Sequence, residues 1–92
     1  MSAYVIVGFN PKDKECLQQY GAQVPATLAK FEGELLARGP AQGLNGEQRF
    51  AMKVVLSFPS EDQARAWYQS EDYQALVPLR DQGMEAEFQL LA

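Results

Sequence analysis

Histidine is absent from this 92-residue chain, and cysteine occurs once, as Cys16. Without imidazole there is no Ser-His-Asp or Cys-His nucleophile pair, no His-ligated metal and no His-held haem. Proton transfer would fall to Asp, Glu, Lys, Tyr or the backbone. A lone cysteine cannot close an intramolecular disulfide, which points to a cytoplasmic setting. No run approaches the ~20 apolar residues of a membrane span, and the opening Met-Ser-Ala-Tyr-Val-Ile-Val lacks the basic start of a secretory signal. Positive charge is scarce too. Eight Lys and Arg against twelve Asp and Glu leave a net charge of −4, which argues against a nucleic-acid backbone as partner. Gly39, Gly43 and Gly46 mark a turn-rich segment but lack the following Lys-Ser/Thr of a phosphate loop. The expectation is therefore a protein with no cofactor, no metal, no nucleic acid and no membrane.

What is present reads as one domain spanning residues 1–92. Residues 3–9, Ala-Tyr-Val-Ile-Val-Gly-Phe, alternate as a strand, with Tyr4, Ile6 and Gly8 on one side and Val5, Val7 and Phe9 on the other. Both sides are largely apolar, as in a central strand covered on each face. Asn10-Pro11 predicts a helix start, and Leu17, Tyr20, Val24, Leu28 and Phe31 make its apolar stripe. Pro25 cannot donate to the carbonyl of Gly21, so a kink or a division into two pieces is expected.

A second strand is predicted over 34–39 and a third over 48–58, the latter with Phe50, Met52, Val54, Leu56 and Phe58 on one face. Ser60 to Gln63 form a capping box, and Ser70 with Glu71 and Asp72 starts a further turn of helix. Over 84–91, Met84, Ala86, Phe88 and Leu90 alternate against Glu85, Glu87 and Gln89. The order β-α-β-β-α-β predicts an α+β fold: a ferredoxin-like two-layer sandwich with helices on one sheet face. A central strand apolar on both sides predicts that a second subunit covers the other face. RNA-binding domains share this order, but they need exposed aromatics on the first and third strands in a Lys/Arg-Gly-Phe setting. Here the aromatics lie on the predicted core face and the glycine is missing.

Three runs, Ala-Tyr-Val-Ile-Val (3–7), residues 24–39 from Val-Pro-Ala-Thr-Leu-Ala to Arg-Gly, and residues 58–80 from Phe-Pro-Ser through Ala-Trp-Tyr to Leu-Arg, carry a resemblance. Together they resemble the domain-of-unknown-function 1330 family, within the dimeric α/β-barrel superfamily. The resemblance implies a ferredoxin-like protomer whose sheets pack into a homodimeric α/β barrel. Superfamily relatives include cofactor-free monooxygenases and muconolactone-isomerase-like proteins, but a shared fold does not transfer chemistry. The chain departs from the family pattern at Leu17, Glu32, Glu34, Pro40 and Asn45.

Six residues are candidates for a ligand site: Tyr20, Arg38, Trp67, Tyr68, Tyr73 and Arg80. The arginines have the fork that grips a carboxylate, with an ion pair as the other reading. The aromatics serve as core or as cavity lining, and tyrosine adds a hydroxyl. Lys53 with Glu85 and Glu87 reads as an acid–base set or as a charged face, and Cys16 as a small core residue or a reactive thiol. The leading expectation is a homodimer holding a small, carboxylate-bearing metabolite between sheet and helices. The alternatives are an enzyme like the cofactor-independent monooxygenases or isomerases, and a structural or interaction module with no ligand cavity.

Overall fold

A computed structural model describes residues 2–92. Strand β1 (Ala3–Pro11) leads to helix α1 (Lys14–Ala29), then β2 (Glu34–Pro40) and β3 (Met52–Phe58). Helices α2 (Glu61–Gln69), α3 (Glu71–Gln74) and α4 (Val77–Gly83) follow, and β4 (Met84–Leu91) closes the chain. The strands form one antiparallel sheet in the order β2-β3-β1-β4, so β1 and β3 are central and β2 and β4 are edges. The helices lie on one face. This is the expected ferredoxin-like sandwich.

The alternation of β1 decides which face is core. Val5, Val7 and Phe9 are buried beneath the helices with Leu56, Phe58 and Met84. From α2, Ala64 and Trp67 descend onto them, and Tyr73 of α3 is wholly buried beside Trp67. Aromatics of this size each remove ~150–250 Å² from water, so Phe58, Trp67 and Tyr73, the largest fully buried side chains, anchor the core.

Three expectations need correction. The third strand begins at Met52, and Phe50 lies on the opposite face from Met52, Val54, Leu56 and Phe58. The cause is Asn10, whose side chain donates to the carbonyl of Arg49 (3.1 Å) and accepts from the amide of Ala51 (2.8 Å). That clamp holds residues 49–51 out of the ladder, and Phe50 lies over Gly8, where a Cβ would meet its ring at 3.1 Å. The first helix starts later than Pro11, which still pairs with Met84 in the sheet; Asp13 is the cap and accepts from the amide of Cys16. Of the two outcomes expected at Pro25, a kink or a division, the division does not occur, since α1 runs unbroken through it. The β2–β3 register slips by one residue between Leu35 and Ala37, which puts Arg38 opposite Val54 and on the helix side with Leu35.

The face away from the helices carries Tyr4, Ile6, Val55, Ser57 and the acidic side of β4, as alternation predicted. Lys53 does not pair with Glu85 or Glu87. Its Nζ lies 5.9 Å from the centre of the Phe50 ring, and Glu87 pairs with Arg49 at 3.5 Å.

Candidate functional site

The two serine caps fix the aromatic cluster. Ser60 Oγ accepts from the amide of Gln63 and starts α2; Ser70 Oγ accepts from the amide of Tyr73 and donates to the carbonyl of Trp67 at 2.7 Å. Ser70 thereby ends one helix and starts the next within a single residue, and the bend brings the Trp67 and Tyr73 rings to 4.4 Å between centroids. The Trp67 indole N–H donates to Thr27 Oγ1 (3.0 Å), and that hydroxyl donates to the carbonyl of Val24 (2.7 Å). Tryptophan is thus tied to α1 by its one polar atom.

From α4, Arg80 reaches into the same cluster. Its Nη1 donates to Tyr68 Oη (3.0 Å) and Tyr73 Oη (3.2 Å), and its Nε donates to Asp81 Oδ1 (3.1 Å). The guanidinium also sits 4.9 Å from the centre of the Phe88 ring, within cation–π range. Tyr73 Oη lies 2.7 Å from Tyr20 Oη, which completes an Arg80–Tyr73–Tyr20 chain. Burial pushes the phenol of Tyr20 well above the ordinary tyrosine value, and the neighbouring Tyr73 adds to it. Burial also raises Tyr73, against the lowering effect of its hydrogen bonds with Tyr20 and Arg80. Burial alone would lower Arg80, but its hydrogen bonds to Tyr68 and Tyr73 outweigh it and the guanidinium is raised. Two neutral phenols and one fixed cation therefore make up the chain.

Beneath α1 the sheet and helix do not close fully. A cavity of about 190 Å³ remains, walled by apolar side chains such as Val7, Leu17, Val54 and Phe88. Tyr20 and Trp67 also line it. Its exposed lining residues are Gly21 and Pro25 of α1 and Leu35 and Arg38 of β2, so the mouth lies between the helix and the edge strand. A second depression of about 330 Å³ lies between α2 and β4, where Tyr68, Gln69, Arg80 and Gln89 contribute polar groups.

Tyr20, Trp67, Tyr68, Tyr73 and Arg80 thus converge in one cluster. Arg38 stands apart and joins Tyr20 and Trp67 only as cavity wall. Phe88 and Thr27 were not among the candidates. Alternation marked Phe88 as inward-facing, but nothing local could show that Arg80 would lie over its ring. Cys16 is partly exposed, and burial followed by the charge of Asp13 pushes its thiol up, away from reactivity. Among the described residues no cluster of His, Cys, Asp and Glu could hold a metal ion, and no helix is long and apolar enough to cross a membrane.

Fold and cluster together define a ferredoxin-like α+β protein with a cavity between helix and sheet. Residues 2–92 match the family described as Domain of unknown function (DUF1330), and the chain belongs to that family. No curated protein matches it. Several solved structures share the fold. One is a protein of unknown function from Rhodopseudomonas palustris, with a TM-score of 0.79 and 12% identity over 98% of this chain and 80% of that one. A dimeric ferredoxin-like protein of unknown function from Jannaschia sp. superposes with a TM-score of 0.72 and 13% identity over 100% and 99% of the two chains. SnoaB, a cofactor-independent oxygenase from Streptomyces nogalater, gives 0.72 and 10% identity over 99% and 91%. At these identities the likeness is one of fold.

Proposed function

We propose that the protein is a homodimer that binds a small apolar carboxylate in the cavity beneath α1, with Arg38 meeting the charged end at the mouth. The cavity carries this reading: its volume of about 190 Å³ compares with the ~150 Å³ that admits a benzene ring in a dry apolar cavity. Arg38 is exposed on the edge strand, so its fork is free to take a carboxylate bidentately without desolvating fully. The dimer is supported by the uncovered sheet face, where Tyr4, Ile6 and Val55 are only partly exposed yet no helix packs on them, and by the dimeric state named for the Jannaschia protein.

An oxygenase of the kind named for SnoaB is the second reading. It needs a base in the cavity. Among the described residues no Asp, Glu or Lys lines it, and the raised phenol of Tyr20 stays protonated near neutral pH. The cavity is better suited to holding a molecule than to taking a proton from it.

Calorimetric titration with phenylacetate, against toluene as the uncharged control, tests the binding reading. Arg38→Ala is expected to weaken phenylacetate roughly ten- to a hundredfold, as for a charge-assisted hydrogen bond of about 1.5–3 kcal/mol, and to leave toluene unchanged. Equal loss for both, or for neither, contradicts the role given to Arg38.

A further inference from the structure

Arg80 uses only part of its donor set inside the fold. Nη1 donates to Tyr68 Oη (3.0 Å) and Tyr73 Oη (3.2 Å), and Nε donates to Asp81. Nη2 carries two more protons, and nothing among the described residues accepts from it. Among those residues no buried side-chain nitrogen or oxygen lacks a partner. Nη2 is therefore open to solvent, although the side chain as a whole is only 12% exposed. The guanidinium lies against the Phe88 ring and holds the Tyr68 hydroxyl, and Arg80, Tyr68 and Phe88 all wall the groove of about 330 Å³ between α2 and β4. Nη2 opens into that groove. Tyr68 accepts from a group that can only donate, so its own hydroxyl proton is not taken up by Arg80.

We propose that this groove is a second binding site, separate from the cavity beneath α1, and that it takes a short monocarboxylic acid with hydroxyl groups on its body. The carboxylate meets Nη2 of Arg80 and the Tyr68 hydroxyl, so that three protons face two oxygens. A cation set among aromatic rings, whose carboxylate partner Asp81 is 64% exposed, gains from a further anion held in the groove. The rim decides the rest of the ligand. Gln69 is exposed there, and Arg65 gives Glu61 only its Nε proton. These groups bond to hydroxyls, whereas a phenyl ring in the same place would cover them unpaired. An apolar carboxylate is thus left to the cavity beneath α1, whose wall contains none of Arg65, Tyr68, Gln69 and Arg80. A second negative charge on the ligand is disfavoured, because Glu61 and Asp81 already sit on the two arginines.

An NMR titration at fixed ionic strength compares glycerate with methyl glycerate, which keeps the hydroxyls and loses the charge. The wild-type protein is expected to bind glycerate roughly tenfold or more tightly than the ester, as for a charge-assisted hydrogen bond. The amide shifts should centre on Arg65, Tyr68, Gln69 and Ala86, which line the groove. Arg80→Gln should remove the preference for the acid. Tyr68→Phe keeps the guanidinium and should weaken glycerate roughly two- to tenfold, the range of one net hydrogen bond. Saturating phenylacetate should leave glycerate binding unchanged. Equal affinities for acid and ester, shifts centred elsewhere, or no binding of glycerate would overturn the site. Displacement of glycerate by phenylacetate would put both in one place and overturn the separation. An unchanged affinity in Tyr68→Phe would overturn the part given to that hydroxyl. Should Arg80→Gln fail to fold, the acid–ester comparison and Tyr68→Phe still decide. Each of these failures leaves the cavity beneath α1 and the role of Arg38 to their own test.

Discussion

At the scale of single residues, the phenols of Tyr20 and Tyr73 make a pH dependence that can be signed. Both are raised in the folded protein, by burial first, while an unfolded tyrosine titrates near ~10. Below that pH both states hold their protons and nothing changes. Above it the unfolded chain loses protons that the folded protein keeps, so stability falls as pH rises past ~10, by up to about 1.4 kcal/mol per pH unit for each phenol. Urea unfolding between pH 8 and 11 measures this, and Tyr20→Phe should flatten the slope. An unchanged slope would mean that the phenols are more open to water than their geometry implies. The same scale shows what local sequence could and could not reveal. Five of the six candidates meet in the cluster, because aromatic and arginine side chains beside helix starts have few other places to go. Arg38 was placed by the register slip between Leu35 and Ala37, which depends on pairing with β3 and leaves no mark in β2 itself.

Among the secondary-structure elements, Ser70 governs the geometry. It caps α3 through the amide of Tyr73 and closes α2 through the carbonyl of Trp67. Ser70→Ala is expected to cost ~1 kcal/mol, the usual loss for a cap, and to loosen the packing of Trp67 on Tyr73. Chemical denaturation gives the first quantity. Near-ultraviolet circular dichroism, dominated by the cluster, gives the second, and an unaltered spectrum would show that Ser70 does not set the ring geometry. The strands were legible because each alternates against a defined face: residues 84–91 were read to the residue, and the core side of β1 follows its pattern. Phe50 broke the pattern since Asn10, forty positions away, captures the backbone around it. Helix α4 was not anticipated. It is short, starts at Val77-Pro78 without a side-chain cap, and owes its place to α1, where Gly83 permits an approach so close that a Cβ would meet the Leu17 amide nitrogen at 2.7 Å.

For the whole molecule, the sheet has one face buried by helices and another carrying Tyr4, Ile6 and Val55 without cover. We expect the protein to sediment as a dimer and Val55→Glu, at the centre of that face opposite Ile6, to shift it towards monomer through buried unpaired charge; a monomeric wild type would remove the second subunit from the account. The cavity lies on the other side of the sheet, so the proposed dimer contact and the proposed ligand site can be tested separately. One measurement bears most directly on the cavity itself: amide chemical-shift mapping of the wild-type protein titrated with phenylacetate. The account predicts saturable shifts centred on Gly21, Val24, Leu35, Arg38 and Val54, the two walls of the mouth beneath α1. Shifts centred instead on the groove between α2 and β4, on the uncovered sheet face, or on no region at all would contradict it.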